Sequence, residues 1–248
     1  MIGRTILYTG AAGGLGLDTT LLLMRRGATV VAVDNDSAKV ARLRAAAKAI
    51  DTGRLVVSTI DLSDLTAFRT ELDRLIGELG GIDVVVNNAA IYPSKPFEGY
   101  SIEDHQRVQR INVDAGIVAV QAALPGMRAR GFGRILNISS ITVSGGWANL
   151  SPYVASKGAL IGLTRAWARE FGPYGVTVNA IAPGAFPTDA EAIHPDPDGY
   201  NRMVLDAQSI KRRGTAADIA ATIAFFASDE ASFITGQTLH VNGGWVMA

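Results

Sequence analysis

Short apolar runs, rich in β-branched residues, alternate along the chain with longer stretches whose apolar positions recur at helical spacing. The runs RTILYT (4–9), ATVVAV (28–33), LVVSTI (55–60), IDVVVN (82–87), RILNIS (134–139), VTVNAIA (176–182) and TLHV (238–241) read as strands. Most are continuously apolar, as strands covered on both faces are. Segments near 15–26, 37–49, 64–79, 101–129, 153–171 and 215–228 read as helices. This alternation predicts one α/β domain over 1–248, a Rossmann-type doubly wound, seven-stranded parallel sheet with helices on both faces. No Ser/Gly linker, repeat or low-complexity block divides it. Residues 183–213, containing HPDPDGY (194–200), are the one long irregular stretch. It follows the sixth strand, at the carboxyl ends of the strands where open α/β folds bind ligands, and is expected to form a substrate lid over about 185–213.

Candidate chemistry lies at two junctions. YTGAAGGLGLD (8–18) joins the first strand to the first helix, and Gly10, Gly14 and Gly16 would let bare backbone approach a pyrophosphate at a helix N-terminus. The second strand ends in Asp34, placed to hydrogen-bond an adenosine ribose and to repel a 2′-phosphate. The adjoining DNDS offers no Arg or Lys, which favours NAD over NADP; the alternative is a plain helix-capping aspartate. In SPYVASKGAL (151–160), Ser151 suits an N-cap and Pro152 a first helical position. Tyr153 and Lys157 then share one helix face. Taken alone, the pair also reads as an ordinary surface contact.

Composition narrows the classes. Lys+Arg and Asp+Glu both number 23, so nothing favours a nucleic acid or an anionic membrane as partner. Cysteine is absent, which removes disulfides, thiol nucleophiles and thiolate metal sites. His105 and His194 are expected to face solvent and His240 to lie in the last strand, so no metal site is expected. With no signal-peptide pattern and no membrane-length apolar run, the expected location is cytoplasmic.

Together these segments resemble the short-chain dehydrogenase/reductase family over essentially the whole chain. TGAAGGLG is similar to its T-G-x-x-x-G-x-G loop, NNAA (87–90) to N-N-A-G, YVASK to Y-x-x-x-K and PGAFPT (183–188) to P-G-x-x-x-T. Asn112 falls at the family's helix asparagine, and Ser140 stands thirteen residues before Tyr153. Ala90 replaces a glycine, and Asn242 stands where aspartate is frequent. The resemblance implies Tyr153 as general acid/base, Lys157 as its electrostatic partner and nicotinamide-ribose contact, Ser140 on the substrate oxygen and Asn112 in a proton relay. It implies NAD held by Gly10, Gly14, Leu15, Gly16, Asp34, Pro183 and Gly184. Asp61 and Leu62 would flank the adenine, Asn88, Ala89 and Ala90 the ribose, and Phe186 and Thr188 the carboxamide. A free tyrosine titrates near ~10, and Lys157 together with the positive charge of an oxidised nicotinamide is expected to pull it down by roughly two to three units.

The substrate end is expected to use Tyr92, Phe97, Trp147 and Phe186 beside Ser140 and Tyr153, favouring an aromatic or cyclic secondary alcohol or its ketone. A 3-oxoacyl thioester reductase, docking an acidic carrier through Arg128 and Arg130, is the rival enzyme. A non-catalytic NAD-binding regulator is the rival of another class. Trp245, Val246 and Met247 would form an apolar patch if exposed, and a homotetramer covering it is expected.

Overall fold

The computed structural model describes residues 1–189, 191 and 194–247. Ala190, Ala192 and Ile193 of the expected lid, and Ala248, lie outside the described residues. All seven strands fall within two residues of their expected places: β1 (Thr5–Thr9), β2 (Thr29–Val33), β3 (Arg54–Ser58), β4 (Val84–Asn87), β5 (Gly133–Ile138), β6 (Val176–Pro183) and β7 (Thr238–Val241). They form one parallel sheet in the order β3-β2-β1-β4-β5-β6-β7. The winding direction reverses between β1 and β4, and this opens a crevice at the carboxyl ends of the strands.

Helices α1 (Gly16–Arg25), α2 (Ser37–Ala47), α3 (Leu65–Leu79), α4 (Ile102–Gln109), α5 (Ala115–Arg130), α6 (Thr142–Gly145), α7 (Ser151–Phe171), α8 (Pro197–Ala207) and α9 (Ala216–Phe226) complete the fold. Strand side chains alternate between two cores. Ile6 and Tyr8 pack with Leu23 and Ile223 on one face, whereas Leu7 packs with Phe68 and Leu72 on the other. Polar side chains set the helix starts. Asp36 accepts from the Ala38 and Lys39 N–H groups at 3.0 Å, and Ser101 with Asp104 forms a capping box ahead of α4.

Three expectations need correction. The single helix over 101–129 is interrupted by a π-helical turn, Arg110–Asp114, between α4 and α5. The stretch 183–213 is not irregular throughout: α8 lies inside it, with Asp196 accepting from the Gly199 N–H at 2.9 Å and Pro197 in the first turn. Ser151 is already helical, and Leu150 occupies the cap position without a side-chain cap.

Gly16 is where the fold tolerates least. A Cβ there would lie 2.2 Å from the Gly10 carbonyl oxygen and 2.7 Å from the Ala11 carbonyl carbon, both backbone atoms that cannot rotate away. Gly16→Ala is expected to cost about 3 kcal/mol, measured as a lower midpoint in urea unfolding.

Candidate active site

A cavity of about 400 Å³ opens at the carboxyl ends of the strands. One end is floored by the turn after β1. Gly10 has φ +66°, and a Cβ on it would meet the Asn88 side-chain nitrogen at 2.8 Å. Asn88 in turn donates to the Thr9 and Gly10 carbonyls at 3.0 and 3.1 Å, which ties the end of β4 to this turn. A Cβ on Gly14 would meet the Thr188 side chain at 2.5 Å. Only bare backbone fits here, directly before the N-terminus of α1, and that is the cradle a dinucleotide pyrophosphate needs.

Asp34 sits at the same end. Its carboxylate accepts from the Ala12 N–H at 3.0 Å and from the Asp36 N–H at 3.1 Å, so it bridges the glycine turn and the approach to α2. The cap of α2 is Asp36. Asp34 therefore faces the cavity, as a ribose ligand would, rather than serving as a capping residue. Lys39 also lines this end, 2.8 Å from Asp189. DNDS itself carries no Arg or Lys, but Lys39, two residues beyond it, reaches this end of the cavity.

The catalytic candidates come together at the centre. Ser140 follows β5, and α7 brings Tyr153 and Lys157 to the cavity wall. The Ser140 hydroxyl accepts from the Thr142 N–H at 3.2 Å and is hydrogen-bonded to the Tyr153 phenol. Tyr92 meets the Tyr153 ring edge-to-face at 6.0 Å. Lys157 is buried, donates to the Ile138 carbonyl at 2.7 Å and lies 5.5 Å from the centre of the Tyr153 ring.

Burial dominates the ionisation of this pair. Burial pushes the Tyr153 phenol up to about 12, and the Ser140 hydrogen bond offsets this only in part. Burial likewise brings the Lys157 ammonium down to about 7. Each group is taken out of water without a compensating opposite charge, so each is driven toward its neutral form.

Asn112 lies behind the cavity wall, buried in the π-helical turn. Its amide oxygen accepts from the Ile91 N–H at 2.8 Å, while its nitrogen donates to the Ile91 carbonyl and the Ser156 hydroxyl, both at 3.0 Å. It thus clamps the strand-end loop that carries Tyr92. π-turns of this kind recur at functional sites. Ala90 lines the cavity without positive φ, so its replacement of glycine strains nothing.

Of the other expected residues, Leu15, Ala89, Pro183, Gly184, Phe186, Thr188 and Trp147 line the cavity. Gly16 packs the first helix onto the turn beneath it. Asp61 and Leu62 are not brought to the cavity wall: Asp61 is exposed and accepts from the Ser63 N–H, and Leu62 belongs to the core with Phe68. Phe97 is 75% exposed and also stays outside the cavity.

Several wall residues were not foreseen. His194 does not face open solvent; it stacks on Tyr200 at 3.6 Å, and both line the cavity beside Glu191. Glu191 pairs with Arg213, which also donates to Asn201 in α8 at 3.0 Å. Trp245 is half-buried and meets Trp147 edge-to-face at 5.3 Å. Of the expected apolar patch only Met247 is exposed, so the patch gives no ground for a homotetramer. Nothing local marks these residues in the sequence, because tertiary packing brings them in. Among the described residues no helix is long and apolar enough to cross a membrane.

The family model described as enoyl-(acyl carrier protein) reductase matches residues 10–246. A 3-oxoacyl-[acyl-carrier-protein] reductase from Staphylococcus aureus is 34% identical over 248 residues, covering 98% of each chain. Among solved structures, a protein described as an NAD(P)-dependent gluconate 5-dehydrogenase from Beutenbergia cavernae, with bound NADP, has a TM-score of 0.91. It is 35% identical, over 99% of this chain and 97% of its own. Another, described as a short-chain alcohol dehydrogenase from Sinorhizobium meliloti, has a TM-score of 0.92 and 31% identity, over 99% and 97% of the two chains.

Proposed function

The chain belongs to the short-chain dehydrogenase/reductase family of oxidoreductases, and from that premise we propose that it interconverts a cyclic or aromatic secondary alcohol and its ketone with NAD(H). The observation that carries this reading is the Tyr153 phenol, hydrogen-bonded to Ser140 in the cavity wall, one helical turn from the buried Lys157. A nicotinamide bound along the glycine turn would supply or accept the hydride. Ser140 and Tyr153 would hold the substrate oxygen between them, and Tyr153 would give it a proton as the ketone becomes an alcohol. Burial raises the phenol, so it is protonated at neutral pH and has a proton to give.

NAD is preferred over NADP in this reading because Asp34 offers a carboxylate where a 2′-phosphate would sit, and Lys39 is engaged by Asp189. The aromatic walls from Tyr92, Trp147 and Trp245 favour a ring over a polar chain.

A second reading, reduction of a 3-oxoacyl thioester, is favoured by the names of the S. aureus relative and the family model. Arg128 and Arg130 do not support it. Arg130 bonds the Ile82 carbonyl and Asp83 just before β4, at the rim of the sheet opposite the cavity. Arg128 lies over the Tyr174 ring, 4.6 Å from its centre.

The test is reduction of cyclic, aryl and aliphatic ketones and of acetoacetyl-coenzyme A with NADH and with NADPH, followed by nicotinamide absorbance. Ring ketones reduced with NADH at least about tenfold better than with NADPH, and a smaller ratio in Asp34→Ala, are the expected result. Turnover of the thioester alone would establish the second reading. Nicotinamide binding without any turnover would point to the regulator.

A further inference from the structure

Beyond β7 the chain makes a turn that reaches back into the cavity. Asn242 is buried and organises it from both ends of one amide. Its oxygen accepts from the Gly244 and Trp245 N–H groups at 2.9 and 3.1 Å, and its nitrogen donates to the Val246 carbonyl at 2.8 Å. A carboxylate could serve the two N–H groups but has nothing to donate to Val246. The turn is pressed against the cofactor wall, since a Cβ on Gly184 would lie 2.7 Å from the Asn242 Cβ. On its other side the Ile210 N–H donates to the Gly243 carbonyl at 2.9 Å, tying the turn to the segment that follows α8. The outcome of this bracing is Trp245, set edge-to-face on Trp147 across the substrate end of the cavity.

We infer that Trp245 is a substrate-contacting wall that selects compact ring ketones over extended acyl chains, and that Asn242 is the positioning residue that holds it there. The inference rests on the ketone-reductase reading for its substrate but not for its geometry. Two indoles in edge-to-face contact, one from the loop before α7 and one from the turn after β7, make a continuous aromatic wall against which an extended chain would abut. A flat ring can instead lie against them. Neither indole holds its place unless its support does, so losing the Asn242 donor should loosen the wall without touching the groups that carry proton or hydride.

Two measurements test this on the full-length protein. The first is the exciton couplet in circular dichroism that two indoles at this separation produce. It should be present in the native protein, absent in Trp245→Phe and clearly reduced in Asn242→Asp; a full couplet in Asn242→Asp would overturn the positioning role. The second is KM and kcat for cyclohexanone and for acetoacetyl-coenzyme A. Trp245→Ala is expected to raise the cyclohexanone KM about tenfold with kcat within threefold, to raise relative thioester turnover about tenfold, and to leave NAD affinity unchanged. Trp245→Phe should stay within about threefold of the native KM, and Asn242→Asp should fall between the native protein and the alanine variant. An unchanged cyclohexanone KM in Trp245→Ala, or a parallel loss of NAD affinity, would overturn the wall. Calorimetric binding of cyclohexanone to NAD-saturated protein separates the two ideas. Binding that weakens in Trp245→Ala, with no turnover of the same ketone when NADH replaces NAD, sinks the reaction and keeps the wall, and no binding by the native protein overturns the ring class.

Discussion

Tyr153→Phe is expected to lower kcat for ketone reduction about 10³-fold while the protein stays folded and binds NADH as before. The phenol oxygen is the only part removed. The ring keeps its edge-to-face contact with Tyr92, and the backbone carbonyl of residue 153 still accepts from Ser156 at 2.7 Å. What disappears is the proton donor at the substrate oxygen, a contribution of the order of 10²–10⁴ in rate for positioned general acids. Ser140 cannot replace it, because a hydroxyl at its ordinary acidity polarises the ketone but gives up its proton poorly. Because kcat should fall far more than KM rises, single-turnover kinetics with prebound NADH will show whether the loss lies in the chemical step. A variant retaining more than about a tenth of native kcat would remove Tyr153 from the mechanism.

Lys157→Met is the second large effect, and its signature lies in pH as much as in rate. In the folded protein burial brings the ammonium down to about 7, whereas its ordinary value is 10.5. Between these values the unfolded chain holds a proton that the folded chain has released. Raising the pH through this window therefore stabilises the fold, and below it both states are protonated and the cost of burying the charge is fully present. From pH 7 to pH 9 the native protein should gain about 2 kcal/mol in urea-unfolding free energy relative to Lys157→Met, which lacks the titration. An identical pH dependence in the two proteins would show that Lys157 does not titrate in this range. The methionine also leaves the Ile138 carbonyl without its donor, so the absolute stabilities need not match; only the slopes are compared. Activity should fall about 10²-fold or more, since the Lys157 amine, 5.5 Å from the centre of the Tyr153 ring, no longer helps to hold the proton donor and the nicotinamide ribose in this reading.

The strands were legible because their signal is local. Seven apolar runs at regular spacing can form little else, and the glycines, Asp34, Ser140, Tyr153 and Lys157 sit at junctions those runs define. α8 was missed because Pro197 and Gly199 read as loop punctuation, although Asp196-Pro197 is also how a helix begins. Trp245 was misread for a different reason. Whether an indole near a terminus is exposed depends on what folds over it, and the Trp147 partner is almost a hundred residues away. The same holds for Glu191, His194 and Lys39. The burial of Tyr153 and Lys157 was not legible, because spacing along a helix gives the distance between two groups but not the depth of water removed around them.

The π-helical turn at Arg110–Asp114 has a consequence for the long rod it interrupts. A helix advances about 100° per residue, so one extra residue in a single turn rotates everything beyond it by that amount. Before the turn the rod packs on α7; after it, α5 packs on α3. One continuous rod thereby presents a different set of side chains to α3 than a uniform helix of the same length would. The turn acts as a phase shifter, and the side chain at the point of slippage is Asn112.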